Sequence, residues 1–332
     1  MRTLSLDVVA TRGALVESRH AVHAAVIRSG RGGDELVAEA GDPHAVSFWR
    51  SCAKPFQVLP LLRDGGFDRA RWGDDELALA CASHGGEPEH VALAARMLND
   101  LGLEEGDLAC GPQEPLASRG ARLLRDAGLR PTRLHNNCSG KHAAMLARAV
   151  ACDYAAAGYE REEHPVQRAC TREVARWTGV AEEDLVTAVD GCGVVVYGLP
   201  LAAMARAYAR LADAARAGDD EPARVLHAMR TRPFLVGGTD RFDTVLSEAT
   251  DGRVVAKVGA EGVHSVAVVD EHLGIAIKVT DGSTRAQYPA VLRALQQLGV
   301  LDDPLPPPLA EWMVRPVRNT RGAVVGEVRP IA

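Results

Sequence analysis

Residues 253–280 read RVVAKVGAEGVHSVAVVDEHLGIAIKVT, and their pattern decides the fold class. Three short runs, 253–258, 264–270 and 273–280, carry the β-branched residues and alternation of strands. Asp270-Glu271-His272 is a tight connection between the last two. Strands joined so closely pair antiparallel, because a parallel return needs a long crossover. The other end of the chain reads alike. Residues 14–28 (ALVESRHAVHAAVIR) and 34–39 (DELVAE) face each other across Gly30-Arg31-Gly32-Gly33, a hairpin-like turn. Between the two ends, apolar spacings of three and four predict helices over 88–101, 141–151, 165–177 and 200–216. A further helix is expected over 287–298. Gly102 and Gly179 stop two of these helices. The order of strands, helices, strands and helix predicts an α+β fold. Terminal strands are expected to share one antiparallel sheet, with a helical middle of roughly 51–235 packed on it. No repeat or long linker interrupts the pattern, so 1–332 reads as a single domain. The proline run 303–308 reads as an extended connector.

Composition excludes several functions. The 332 residues include 38 Lys+Arg against 44 Asp+Glu, a net charge of −6, which argues against a nucleic-acid binder. Aromatics are only 4%, too few for base-stacking platforms. No run approaches the ~18 apolar residues of a membrane span. The opening MRTLSLDVVATRG has no apolar core before a cleavage site, so a cytoplasmic protein is expected. Seven cysteines, an odd number in such a chain, argue against a disulfide framework. Neither Gly-x-Gly-x-x-Gly opening a βα unit nor Gly-x-x-x-x-Gly-Lys-Ser/Thr occurs, so nucleotide cofactors are not expected.

Five segments hold groups able to do chemistry. Arg50-Ser51-Cys52-Ala53-Lys54-Pro55 has the Ser-x-x-Lys spacing. On a helix this puts Ser51 and Lys54 on one face, where a neutral lysine can take the serine proton. The plainer reading is a solvated helix start. Cys81-Ala82-Ser83-His84-Gly85-Gly86-Glu87 offers a second serine, with a helix end stopped by glycine as the alternative. His135-Asn136-Asn137-Cys138-Ser139-Gly140-Lys141-His142 precedes an apolar helix. There Cys138 with Lys141 or His142 shares a face, or Cys138 is simply buried. Asp190-Gly191-Cys192-Gly193 is a turn that brings a thiol to a ligand. Cys138 and Cys192 together suit zinc. A further ligand has to come from Lys141, His135, His142, Asp190 or water. Lys257, at a strand end before Gly259-Ala260-Glu261-Gly262, is a base for one serine or an edge-strand lysine.

Taken in order, TRGALVES, RSCAKPFQ, SHGGE, NNCSGKHAAML, DGCG and KVGAEGV resemble the Rhizobium-type (class 3) L-asparaginases, or asparaginase II. The resemblance runs from about residue 7 to RNTRGAVVGEVR near the C-terminus. It implies a fold like those of glutaminases and serine β-lactamases, a homodimer, and hydrolysis of L-asparagine to L-aspartate and ammonia. It implies two serine-lysine tandems, Ser51 with Lys54 and Ser83 with Lys257. It further implies a Zn2+ site of Cys138, Lys141 and Cys192, with His142 the more conventional donor than Lys141. Arg50, His84 and Asp190 are then expected to contact substrate or metal-bound water. A glutaminase or other acylase on the same scaffold is the nearest rival. A zinc hydrolase whose metal-bound water attacks is a second. A non-catalytic zinc-stabilised binding protein is the alternative from another class.

Overall fold

The computed structural model describes residues 1–331. Along the chain its strands are β1 (Arg2–Thr3), β2 (Val8–Arg12), β3 (Leu15–His20), β4 (Val22–Arg28), β5 (Glu35–Ala40), β6 (Val46–Phe48), β7 (Val186–Val189), β8 (Val195–Pro200), β9 (Val254–Val258), β10 (Val263–Val268), β11 (Leu273–Val279), β12 (Arg315–Arg318) and β13 (Val324–Pro330). Strands gather at the chain ends and helices in the middle, so the fold is α+β. The chain divides into two compact units.

The strand-rich unit comprises Met1–Cys52, Leu199–Asp213 and the chain from Ala249 onward. Its larger sheet has the order β1-β5-β4-β11-β10-β9. β9, β10 and β11 form the antiparallel meander that 253–280 predicts. β11 also pairs antiparallel with β4, from Leu273 opposite Arg28 to Val279 opposite Val22, which joins the two chain ends. Only β1, beside β5, runs parallel to its neighbour in this sheet. Ala24, Ala25, Val26, Ile275, Ala276 and Ile277 are all buried, so the central strands read as continuous apolar runs.

Two expectations change here. Strands of both chain ends share the larger antiparallel sheet as expected, but not all of them do: β12-β13-β2-β3 form a second sheet. The run 14–28 is therefore two strands, broken at Ala21. The corner is held by side chains, which an alternating pattern does not reveal. The Val22 amide donates to Asp7 Oδ1 at 3.0 Å, and His20 Nδ1 lies 2.6 Å from Asp281 Oδ2. The proline run also shortens as a connector, because the helix Pro307–Met313 starts inside it with prolines in its first turn.

The helical unit comprises Ala53–Gly198 and Ala214–Glu248. Predicted helices appear as Pro88–Asp100, Ser139–Ala151 and Pro165–Thr178. Helix Ser139–Ala151 is buried on every side through Ala149, as a central helix should be. Its second residue is Gly140. A Cβ there would collide with the Leu79 carbonyl at the end of helix Asp74–Cys81. Glycine thus permits the close approach of the two helix ends that carry the chemistry below. β7 and β8 form an antiparallel hairpin whose turn is Asp190-Gly191-Cys192-Gly193. Among the described residues, no helix is long and apolar enough to cross a membrane.

Candidate active site

Lys54 opens the short helix Lys54–Gln57, with Pro55 in a first turn that needs no amide from it. Only 1% of Lys54 is exposed. A buried lysine must find acceptors for its three donor hydrogens. It finds three: the Ala82 carbonyl, Ser83 Oγ at 3.0 Å and the Asn137 carbonyl at 3.4 Å. Ser83 follows helix Asp74–Cys81, where Ala82 turns extended, and its amide is fixed by the Val236 carbonyl at 3.1 Å. The spacing argument joins Lys54 to Ser51, whereas the structure sets Lys54 on Ser83. Short sequence spacing had no means of showing a partner 29 residues away.

The rest of SHGGE positions this serine. His84 is fully buried; its Nδ1 accepts the Gly86 amide at 3.1 Å. Nε2 therefore carries the proton and donates to Ser139 Oγ at 2.9 Å, and Ser139 donates onward to the Leu134 carbonyl. Burial, with the nearby His90 and Lys54, holds His84 well below the usual histidine range. Both ring nitrogens are occupied, so His84 braces the loop and has no nitrogen left for the substrate contact expected of it. His90 stacks on His84 with centroids 5.0 Å apart. Glu87 is buried too. Its carboxylate accepts from the Thr239 amide at 2.7 Å, the Thr239 hydroxyl at 2.8 Å and Arg119 at 2.7 Å. Burial alone would raise its pKa, but these bonds outweigh burial and hold it below the usual carboxylate range.

Cys138, Lys141 and Cys192 converge. Cys138 caps helix Ser139–Ala151, Lys141 lies in its first turn, and Cys192 comes from the β7–β8 turn. Lys141 Nζ donates to Cys192 Sγ at 3.0 Å. A hydrogen bond from the Cys138 thiol, and then Lys141, pull Cys192 down to about 5. Giving that hydrogen bond, together with burial, pushes Cys138 up to about 12. Burial works against the Lys141 charge, but the two sulfurs and Asp190 outweigh it and raise its pKa. Asp190 is half-buried and accepts the Gly191 amide at 2.9 Å. Asn137 links this cluster to the first: its carbonyl accepts from Lys54, and its Oδ1, 2.9 Å from Cys138 Sγ, competes with Cys192 for the single thiol proton.

Two sulfurs and an amine form a donor set for a thiolate-preferring divalent ion such as zinc. Loading would displace the protons of Cys138 and Lys141. Among the described residues, no group of three His, Cys, Asp or Glu side chains is placed to hold a metal, so a site built on Cys138 and Cys192 would need a further donor such as the Lys141 amine. His142 engages only one ring nitrogen, its Nδ1 lying 2.5 Å from the Tyr159 hydroxyl, while its buried Nε2 has no hydrogen-bond partner among the described residues, so the ring stays an alternative donor to Lys141. That hydroxyl accepts the Ala109 amide at 2.9 Å. Its proton is thus left for His142, which burial pushes down to about 3. Cys110 sits near enough for Cys138 and Cys192 to add to the burial that raises it to about 12. Tyr159 and Cys110 lie outside the motifs, and Asn137 lies inside NNCSGKHAAML with no side-chain chemistry of its own to mark it.

The strand-rich unit holds the other candidates. Ser51 lies half-buried on the 3-10 turn Arg50–Ala53, after Arg50 in the left-handed region at φ 53. Side-chain bonds pin the turn on both sides. Trp49 Nε1 donates to Ser265 Oγ at 3.0 Å, Cys52 Sγ to the Lys257 carbonyl at 3.0 Å, and Tyr208 to the Cys52 carbonyl at 2.8 Å. Lys257 is fully buried on β9, directly opposite Ser265 of β10, and its Nζ donates to the Val258 carbonyl at 2.9 Å. Gly259 makes room for Cys52, whose sulfur would stand 3.0 Å from an added Cβ. Ser51 is therefore anchored to the strand that carries Lys257. Trp49 and Ser265, which do the anchoring, lay outside the motifs.

A family model described as L-asparaginase II matches residues 8–330. The chain belongs to the L-asparaginase II family. As a member of that family it is a hydrolase of amides with a small-molecule substrate. Among solved structures, this chain is similar to the native form of Mglu. Identity is 14%, covering 90% of this chain and 69% of that one, with a TM-score of 0.46. It is also similar to a putative beta-lactamase from Bacteroides dorei DSM 17855, at 12% identity over 84% of this chain and 94% of that one, TM-score 0.45. No curated protein matches the chain.

Proposed function

We propose that this L-asparaginase II family member hydrolyses L-asparagine to L-aspartate and ammonia through a serine hydroxyl served by a buried lysine. The observation that carries this reading is the 3.0 Å bond between Lys54 Nζ and Ser83 Oγ. Acyl transfer needs a nucleophile, a proton acceptor and a donor for the leaving nitrogen. In its neutral form Lys54 keeps two hydrogens for the Ala82 and Asn137 carbonyls and turns its lone pair to Ser83, so Ser83 Oγ attacks the side-chain amide carbon while Lys54 takes its proton. The C–N bond then breaks, and the Lys54 ammonium gives its proton to the departing amine, which leaves as ammonia. Water hydrolyses the resulting ester, releasing aspartate and restoring the serine. The Ala82 and Asn137 carbonyls keep the amine in place during both transfers. Cys138, Lys141 and Cys192 are proposed to hold Zn2+, which supplies fixed positive charge when bound. A homodimer in the cytoplasm remains part of this proposal.

Ser51 is the second reading for the nucleophile, because it is half-buried where Ser83 is buried, and its turn is pinned beside Lys257. Purified protein, S51A and S83A are to be assayed for ammonia release from asparagine and from glutamine. Mass spectrometry then locates the acyl adduct of a slow substrate. An adduct on the Ser83 peptide, lost in S83A, is expected. An adduct on Ser51 moves the attack to the second reading, and full turnover in both variants sinks the serine mechanism. Metal analysis of C138A and C192A is expected to show no stoichiometric zinc; undiminished zinc would remove the metal assignment.

A further inference from the structure

A cavity of about 370 Å3 in the strand-rich unit shares no residue with the site above. Arg293 and Gln296, one turn apart on helix Thr284–Leu298, form one wall. Leu305, Met313 and Val314 form an apolar wall. Two arginines reach the cavity, and they differ. Arg329 is satisfied: its Nε lies 2.8 Å from Glu327 Oε1 and its Nη1 donates to the Pro330 carbonyl at 3.3 Å. Arg293 Nε is buried and has no hydrogen-bond partner among the described residues. The side chain as a whole is half-buried and lines the cavity, so its guanidinium is open to a ligand beside the unpartnered Nε, and a carboxylate is the group whose shape matches it.

We propose that this cavity binds an amphipathic monocarboxylate, a short aliphatic acid. The carboxylate sits on Arg293 and the chain lies against Leu305, Met313 and Val314. A cavity of this size suits a small ligand with one apolar end and one polar anchor. Asp303 also lines the cavity and sets the charge limit. Its carboxylate repels a second negative charge, so a monoanion is favoured over phosphate.

Isothermal titration calorimetry of the full chain with octanoate tests this, with acetate, 1-octanol and inorganic phosphate as controls. Octanoate is expected to bind, and each control to bind at least tenfold more weakly. Arg293→Gln should weaken octanoate at least tenfold and leave 1-octanol unchanged. Met313→Trp fills the apolar wall and should abolish octanoate binding, which keeps the test open if R293Q fails to fold. The proposal is overturned if octanoate does not bind, if folded R293Q binds it equally well, if M313W still binds it, or if phosphate or 1-octanol binds as tightly.

Discussion

Lys54 and Lys257 are the same residue type, and neither exposes more than 1% of its surface, yet they are held in unlike ways. Lys257 stands on a strand, where the β9–β10 ladder fixes its backbone opposite Ser265. Lys54 stands at a helix start, where nothing regular fixes it. Its place comes from the three acceptors around its amine. A sheet position is held by backbone bonds that mutation of a side chain leaves intact. A caged amine is held by its partners and changes with them. The Lys54 site should therefore be the more sensitive of the two to single side-chain changes.

The largest effect is expected for Lys54→Met. It keeps the length, removes the amine and leaves Ser83 without its proton acceptor. Asparagine turnover should fall by ~10³–10⁴ with folding retained, as loss of a general acid–base does. Steady-state ammonia release and circular dichroism measure the two. A smaller loss than that of Lys257→Met would invert the comparison. Trp49→Phe probes the strand side. Removing the indole donor to Ser265 should lower turnover by ~10-fold, because it loosens the turn of Ser51 and leaves Lys257 in place. A loss as large as that of K54M would show that the pinned turn matters as much as the caged amine.

Much of this contrast was legible in the residues, and some of it was not. The strand residue Lys257 was readable because an alternating pattern places it on β9 within one residue. The helices over 88–101 and 141–151 were readable from apolar spacing for the same reason. The partners were not. Lys54 reaches Ser83 through the folding of loops, and a spacing rule between Ser51 and Lys54 describes only one helix face. Cys138, Lys141 and Cys192 were legible as separate motifs, whereas Asn137, which ties them to Lys54, looks like any polar residue before a helix. The break at Ala21 was invisible because β3 and β4 continue one alternation across a corner held by Asp7 and Asp281.

Smaller effects test the supports of the helical side. Gly140→Ala should lower stability by about 1–3 kcal/mol, the usual cost of overpacking. Urea denaturation measures it; an unchanged midpoint would mean that the helix ends have slack. Glu87→Gln gives the mildest change, visible in its pH dependence. The Glu87 carboxyl lies below its unfolded value of about 4.3, so it stabilises the fold above that pH. That stability is lost as pH falls toward the depressed folded value. The wild-type melting temperature should therefore decline on acidification below about pH 4, and E87Q should begin lower and decline less. Parallel curves would remove Glu87 from the loop's electrostatic support.

Gly140 gives the arrangement a dimension. A methyl group projects about 1.5 Å from the backbone, while a hydrogen bond at 3.0 Å is gone by about 3.6 Å. The margin on which the hydroxyl, amine and sulfurs cooperate is thus narrower than the smallest side chain. In this protein the gauge that spaces the reactive groups is a single hydrogen atom on an α-carbon.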